Sequence, residues 1–179
     1  MRRLWFFTVL AAIILLAATP YASPFSRLHV VHGSNGNGLA EWPLSAGERW
    51  GIHFTHSWYR VAQEEIYRVD RRGRMVLHEV KFASYPAAMY YDENPPQGLI
   101  REDGWLKIKD IERPVAFVRF KVGYTTDCYL MVKDRRIYFK SLAAEGESLV
   151  FAVDRVSPLE FFYAAVSLSL TGDLTGKTL

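Results

Sequence analysis

WGIHFTHSWYRVAQEEIYRV, residues 50–69, reads as a strand, a short polar connection and a second strand. Trp50, Ile52 and Phe54 alternate with His53 and Thr55, the period of two that places successive side chains on opposite faces. The alternation resumes at Glu64 and runs to Asp70. Between and beside the strands lie His53, His56, Ser57, Glu64 and Glu65, the densest group of chemically capable side chains in the chain.

The same period extends outward. DRRGR at 70–74 supplies a turn, with Gly73 free to take the positive φ of a tight hairpin. Residues 74–82 form the next strand, with Val76, His78, Val80 and Phe82 expected on one face and Leu77, Glu79 and Lys81 on the other. Upstream, LHVVHG (28–33) is a strand and SNGNG (34–38) a turn, and LAEWPLSAGE leads on to Trp50. Downstream, SYPAAMYYDENPPQG (84–98) breaks the pattern and is expected to be a long loop. Its Tyr85, Tyr90 and Tyr91 suit either a ligand site or a cover over the end of a sheet.

Further strands are expected at WLKIKDIER, at 115–122, in a hairpin of CYLMVK and IYFKSL across Asp134, Arg135 and Arg136, and at LVFAVDR (149–155). About nine strands with regular turn signals predict an all-β fold, a single antiparallel β-sandwich or partly open barrel over residues 27–179. Ser157, Pro158 and Glu160 mark the start of a short C-terminal helix, with an edge strand through VSLSL as the alternative.

The N-terminus begins with Arg2 and Arg3 and continues with an apolar run from Leu4. Residues 1–23 therefore read as a secretory signal peptide or an uncleaved membrane anchor, a hydrophobic helix in either case. Carried to Ala22 the run spans roughly 28 Å as a helix, about one hydrocarbon core. Pro20 disfavours cleavage at both nearby small-residue sites, so both fates stand. Either one puts the domain in the periplasm or on the outer face of the cytoplasmic membrane, with residues 4–22 touching the membrane if they are retained.

Without Arg2 and Arg3 the body carries 20 basic and 19 acidic residues. That balance lacks the basic excess nucleic-acid binding requires. The lone cysteine, Cys128, sits beside Tyr129, Leu130 and Met131 and reads as a buried, inert thiol. Arg60, Arg71, Arg72, Arg74, Arg135 and Arg136 fall in turns and read as a solvated edge, with an anion-binding patch as the sharper option.

His56 follows the phase of Trp50, Ile52 and Phe54, so it is expected where the core face of the strand ends. Pairing across 57–63 would bring Glu64 and Glu65 near it, an arrangement that serves structure, ligand binding or catalysis. Ser57 is a poor nucleophile partner because adjacent strand residues point apart, and no GxSxG elbow is present. His29, His32, His53, His56 and His78 are spread over different strands, which disfavours a metal site. There is no phosphate loop, dinucleotide fingerprint or CxxC, and no cofactor is expected.

The segment THSWYRVAQEEIYRVDRRGRMVLHEVKFASYPAAM resembles the bacterial domain-of-unknown-function family 1850, small exported proteins often encoded beside TAXI-type TRAP transporters. The resemblance rests on His56-Ser57, Glu64-Glu65, the Gly73 hairpin and Phe82. Trp58-Tyr59-Arg60 departs from the family's acidic connection, and Pro86-Ala87-Ala88-Met89 replaces its glycine-rich turn. The resemblance implies export and partnership with a TRAP-type transporter or its solute-binding subunit, and it implies no activity.

The functional expectation is accordingly an exported accessory or ligand-binding protein, linked to uptake of a small organic solute. Its candidate residues are His56, Ser57, Glu64, Glu65, Tyr85, Tyr90 and Tyr91. The alternatives are an envelope hydrolase or metal-dependent enzyme using His56, Glu64 and Glu65, and a structural envelope protein.

Overall fold

Two antiparallel sheets pack face to face in the computed structural model, which describes residues 25–91, 98–123 and 128–171 together with Phe7 and Val9. The smaller sheet has the order β2-β1-β12-β9, from β1 (Phe25–His32), β2 (Gly38–Ser45), β9 (Phe117–Lys121) and β12 (Ser148–Arg155). The larger has the order β11-β10-β3-β4-β5-β7-β6. Its strands are β3 (Arg49–Thr55), β4 (Ala62–Val69), β5 (Met75–Phe82), β6 (Ile100–Glu102), β7 (Trp105–Ile108), β10 (Tyr129–Val132) and β11 (Arg135–Tyr138). A short β8 (Arg113–Pro114) pairs with β5 off this path. The fold is the expected β-sandwich, with twelve strands among the described residues. The hydrophobic helix expected within residues 1–23 lies outside them, apart from Phe7 and Val9.

Alternation builds the core. Leu28 and Val30 of β1, Trp42 and Leu44 of β2 and Leu149 and Phe151 of β12 face Trp50, Ile52, Tyr67, Val69 and Leu130 of the larger sheet. Aromatic rings bridge the layers: Trp50 stacks on Phe151 at 6.3 Å and Phe54 meets Phe120 at 4.9 Å, while within the larger sheet Trp50 stacks on its cross-strand neighbour Tyr67 at 4.6 Å. Each such ring adds a large apolar area, about 2–3 kcal/mol of burial per side chain.

Four expectations are corrected. The connection LAEWPLSAGE is largely strand β2 despite Pro43, because β2 is an edge strand where proline's missing N–H leaves no ladder bond unmade. On β5, Met75, Leu77, Val80 and Phe82 face the core, and Val76 and His78 do not share a face with Val80. The cause is a bulge: Ile66 lies opposite Glu79 and Tyr67 opposite Leu77, so His78 is the extra residue and the alternation reverses across it. His78 turns outward, where its Nδ1 lies 2.6 Å from Glu112. The turn of the β10–β11 hairpin is Lys133-Asp134, both with positive φ, and Arg135-Arg136 already belong to β11. Finally, the expected long loop contains a helix, α1 (Tyr85–Tyr91), seated on the sandwich by the fully buried Ala87 and Ala88. Residues 92–97 of that loop lie outside the described residues.

The C-terminal helix, α2 (Pro158–Thr171), follows its expected cap. Glu160 N–H donates to Ser157 Oγ at 3.3 Å and Ser157 N–H donates to the Glu160 carboxylate at 2.8 Å. The helix packs on β1 and β2, with Phe161 stacked 4.2 Å from Phe25.

The sandwich has two unlike ends. One gathers Phe25, the turn at Gly47, the turn at 70–74, the Lys133-Asp134 turn and Arg155. Gly47 N–H bonds Val69 O at 2.8 Å, Lys133 reaches Glu48 at 3.6 Å, and Arg155 Nε donates to Arg72 O. The other end carries the Gly33 turn, the 56–61 connection and α1.

Candidate functional site

The β3–β4 connection, residues 56–61, is built around His56. His56 N–H donates to Val61 O at 2.8 Å, and Arg60 N–H donates to His56 O at 2.9 Å with Arg60 at φ 55°. The imidazole then accepts, at Nδ1, the N–H groups of Trp58 (3.2 Å) and Tyr59 (3.3 Å). With Nδ1 an acceptor, the ring proton sits on Nε2. His56 therefore organises the turn from within.

Aromatic rings surround it. Tyr59 lies 5.2 Å from the His56 ring, Tyr90 lies 5.9 Å from it edge-on, and Tyr59 and Tyr90 are 5.9 Å apart. Tyr90 comes from α1, whose buried alanines hold it down. The next residue, Tyr91, points inward: its ring meets Phe82 at 5.4 Å and its hydroxyl accepts from Arg113 at 2.8 Å. The short helix thus divides the three tyrosines, with Tyr85 and Tyr90 outward and Tyr91 inward. Trp58 is 81 % exposed and Tyr90 71 %. Together these rings form an aromatic crown at the α1 end of the sandwich, with Ser57 exposed in the same turn.

The expected convergence of His56, Glu64 and Glu65 does not occur. Thr55 pairs with Ala62, so the residue opposite Glu64 is His53. His53 Nδ1 donates to Glu64 at 3.1 Å, and Lys81 donates to the other carboxylate oxygen at 3.0 Å. The His53 bond holds the Glu64 carboxyl below its ordinary range, against partial burial and with help from Lys81. The His53 ring lies flat on Tyr129 at 4.5 Å. This cluster occupies the outer face of the larger sheet.

Glu65 faces the other way, opposite Ile52 and Val80. Burial pushes its carboxyl up, offset in part by the Tyr67 hydroxyl, which donates to it, and by the charge of Arg113. Burial and the neighbouring carboxylate push the Tyr67 hydroxyl well above its ordinary value. Among the described residues no three His, Cys, Asp or Glu side chains converge as a metal cage requires.

The sequence reading named His53 without setting it against Glu64, and it left Lys81, Trp58 and Tyr59 out of the candidate site. Counting the ladder back from a tighter connection would have found the first two. The last two carry no sequence signal, since it is the turn that leaves Trp58 in solvent and Tyr59 half-buried beside His56. The basic turn at 71–74 and the Arg135-Arg136 start of β11 lie at the opposite end of the sandwich and line separate clefts.

The family model described as a domain of unknown function (DUF1850) matches residues 51–139. The match covers nearly the whole larger sheet, α1 and the crown. No curated protein and no solved structure matches the chain.

Proposed function

The chain belongs to the DUF1850 family, and on that premise we propose that it is an exported binding protein, held at the outer face of the membrane by residues 4–22, whose aromatic crown engages a partner or a small organic solute. The observation that carries this reading is the crown itself. Trp58 stands exposed on a turn that His56 fixes through two backbone bonds, and Tyr90 stands exposed on α1 with its ring against those of His56 and Tyr59. Rigid, exposed aromatic rings give large contact area at little entropic cost on binding.

The partner in this proposal is a TRAP-type transporter or its solute-binding subunit, and the solute is one that the transporter carries. The test is a pull-down from membranes with the intact chain and with Trp58→Ala and Tyr90→Ala variants, beside solute uptake in a deletion strain. Capture of the transporter by the intact chain, its loss in both variants and reduced uptake on deletion are expected. Unchanged uptake together with no capture by the intact chain would overturn the proposal.

A further inference from the structure

Helix α2 presents Leu159, Phe162, Tyr163 and Val166 to solvent, each more than half exposed and Tyr163 77 %. Their spacing of i, i+3, i+4 and i+7 is one continuous helical stripe. The helix is fastened to the domain by Phe161, stacked on Phe25, with the inner edge of Phe162 meeting the same ring at 5.8 Å, and its one charged residue, Glu160, is used in the cap. At 14 residues α2 is about 21 Å long, too short to cross a bilayer but suited to lying along its surface.

Two further features share this end of the sandwich. The apolar run of residues 4–22 finishes three residues before Phe25, a reach of at most about 11 Å. The end also carries a net basic excess: the 70–74 turn brings Arg71, Arg72 and Arg74, the neighbouring hairpin brings Lys133 and Arg135, and β12 closes on Arg155, against Asp70, which pairs with Arg74, Glu48, which pairs with Lys133, and Asp134. Arg72, Arg74 and Arg155 line a cleft of about 630 Å³ beside Met75 and Val115. An apolar stripe, a ring of cations and the exit towards a membrane-length run therefore lie together.

We infer that this end docks on an anionic lipid bilayer, with the α2 stripe in the interface and the basic turns against headgroup phosphates. The inference rests on the reading above that residues 4–22 are retained as an anchor. Docking directs the crown, at the other end of the sandwich, away from the membrane. Hydrophobic insertion and cation–headgroup attraction act together, as stable attachment of an interfacial element requires.

The test places a spin label at Phe162→Cys, or at Val166→Cys as an independent position, in a Cys128→Ala background. A Glu145→Cys label at the far end is the control. The full chain is held in nanodiscs of phosphatidylglycerol and phosphatidylcholine, and relaxation by oxygen is compared with that by a water-soluble nickel chelate. Labels at 162 and 166 are expected to favour oxygen several-fold more than the label at 145. Equal nickel access at all positions would overturn docking, as would shielding of 162 and 166 from both reagents, the result if residues 4–22 or a second copy cover the stripe. Intact mass reports the anchor separately. If residues 1–23 prove to be removed, the anchor reading fails, and the mature chain is floated with phosphatidylglycerol vesicles. Co-flotation then upholds the docking face and its absence refutes it.

Discussion

Glu64 and Glu65 are consecutive on β4, and the fold drives their carboxyl groups in opposite directions. Glu64 points outward to His53 and Lys81, which stabilise its charge. Glu65 points inward between Ile52 and Val80, where burial opposes its charge. The pleat of one strand separates two environments that the sequence leaves side by side.

Their effects on stability have opposite pH dependence. The lowered Glu64 contributes stability that is present above its ordinary value of 4.5 and is lost as pH falls through the lowered value. The raised Glu65 contributes stability that is present below 4.5 and is lost as pH rises through the raised value. Urea unfolding of Glu64→Gln at neutral pH is expected to show a loss of roughly 1 kcal/mol, because Lys81 and His53 lose their charged partner. Glu65→Gln keeps an acceptor for Tyr67 and removes a buried charge, so it is expected to gain up to about 1 kcal/mol at neutral pH. A gain for Glu64→Gln would contradict the assignment of faces.

Gly51 sits where β3 passes β4 and β10. A Cβ there would lie 2.8 Å from Ile66 Cδ1, 2.9 Å from Met131 Cε and 3.0 Å from Glu65 O. Gly51→Ala is expected to destabilise the domain by about 1–3 kcal/mol. Adding Ile66→Val removes the nearest atom and should recover part of the loss in thermal melts.

Two tryptophans eight residues apart serve opposite purposes. Trp50 is 2 % exposed and joins the two sheets, so Trp50→Ala is expected to cost about 3–5 kcal/mol. Trp58 stands in solvent, and Trp58→Ala is expected to change stability by under about 0.5 kcal/mol while weakening partner capture. Denaturant midpoints measured beside the pull-down separate the two roles.

His56 holds its turn through Nδ1. His56→Ala leaves the Trp58 and Tyr59 N–H groups without that acceptor, and faster tryptic cleavage after Arg60 is expected. His56→Asn can supply a carbonyl acceptor in its place and should restore most of the resistance. Equal cleavage of both variants and the parent would show that the turn does not depend on the ring.

The β-sandwich was legible because apolar alternation survives in nearly every strand. It misled at β5, where nothing in RMVLHEVKF marks His78 as an extra residue; the bulge arises from how β4 and β5 meet. It also failed at 84–91, where Pro86 and the prolines and glycine that follow suggested a loop. Ala87 and Ala88 allow a helix to approach the sheet closely, a gain realised only once the sheet exists to pack against.

The sequence alone determined the all-β class, the Gly73 hairpin, the Ser157 cap and the choice of segment 50–90 as the family-like region, because these depend on local pattern and turn chemistry. Tertiary structure decided which histidine meets Glu64, which glutamate is buried, and that the crown and the basic end with α2 lie at opposite ends of the sandwich. Strand register and the packing of one sheet on the other set those relations, and both join residues far apart in the chain, where local periodicity carries no information.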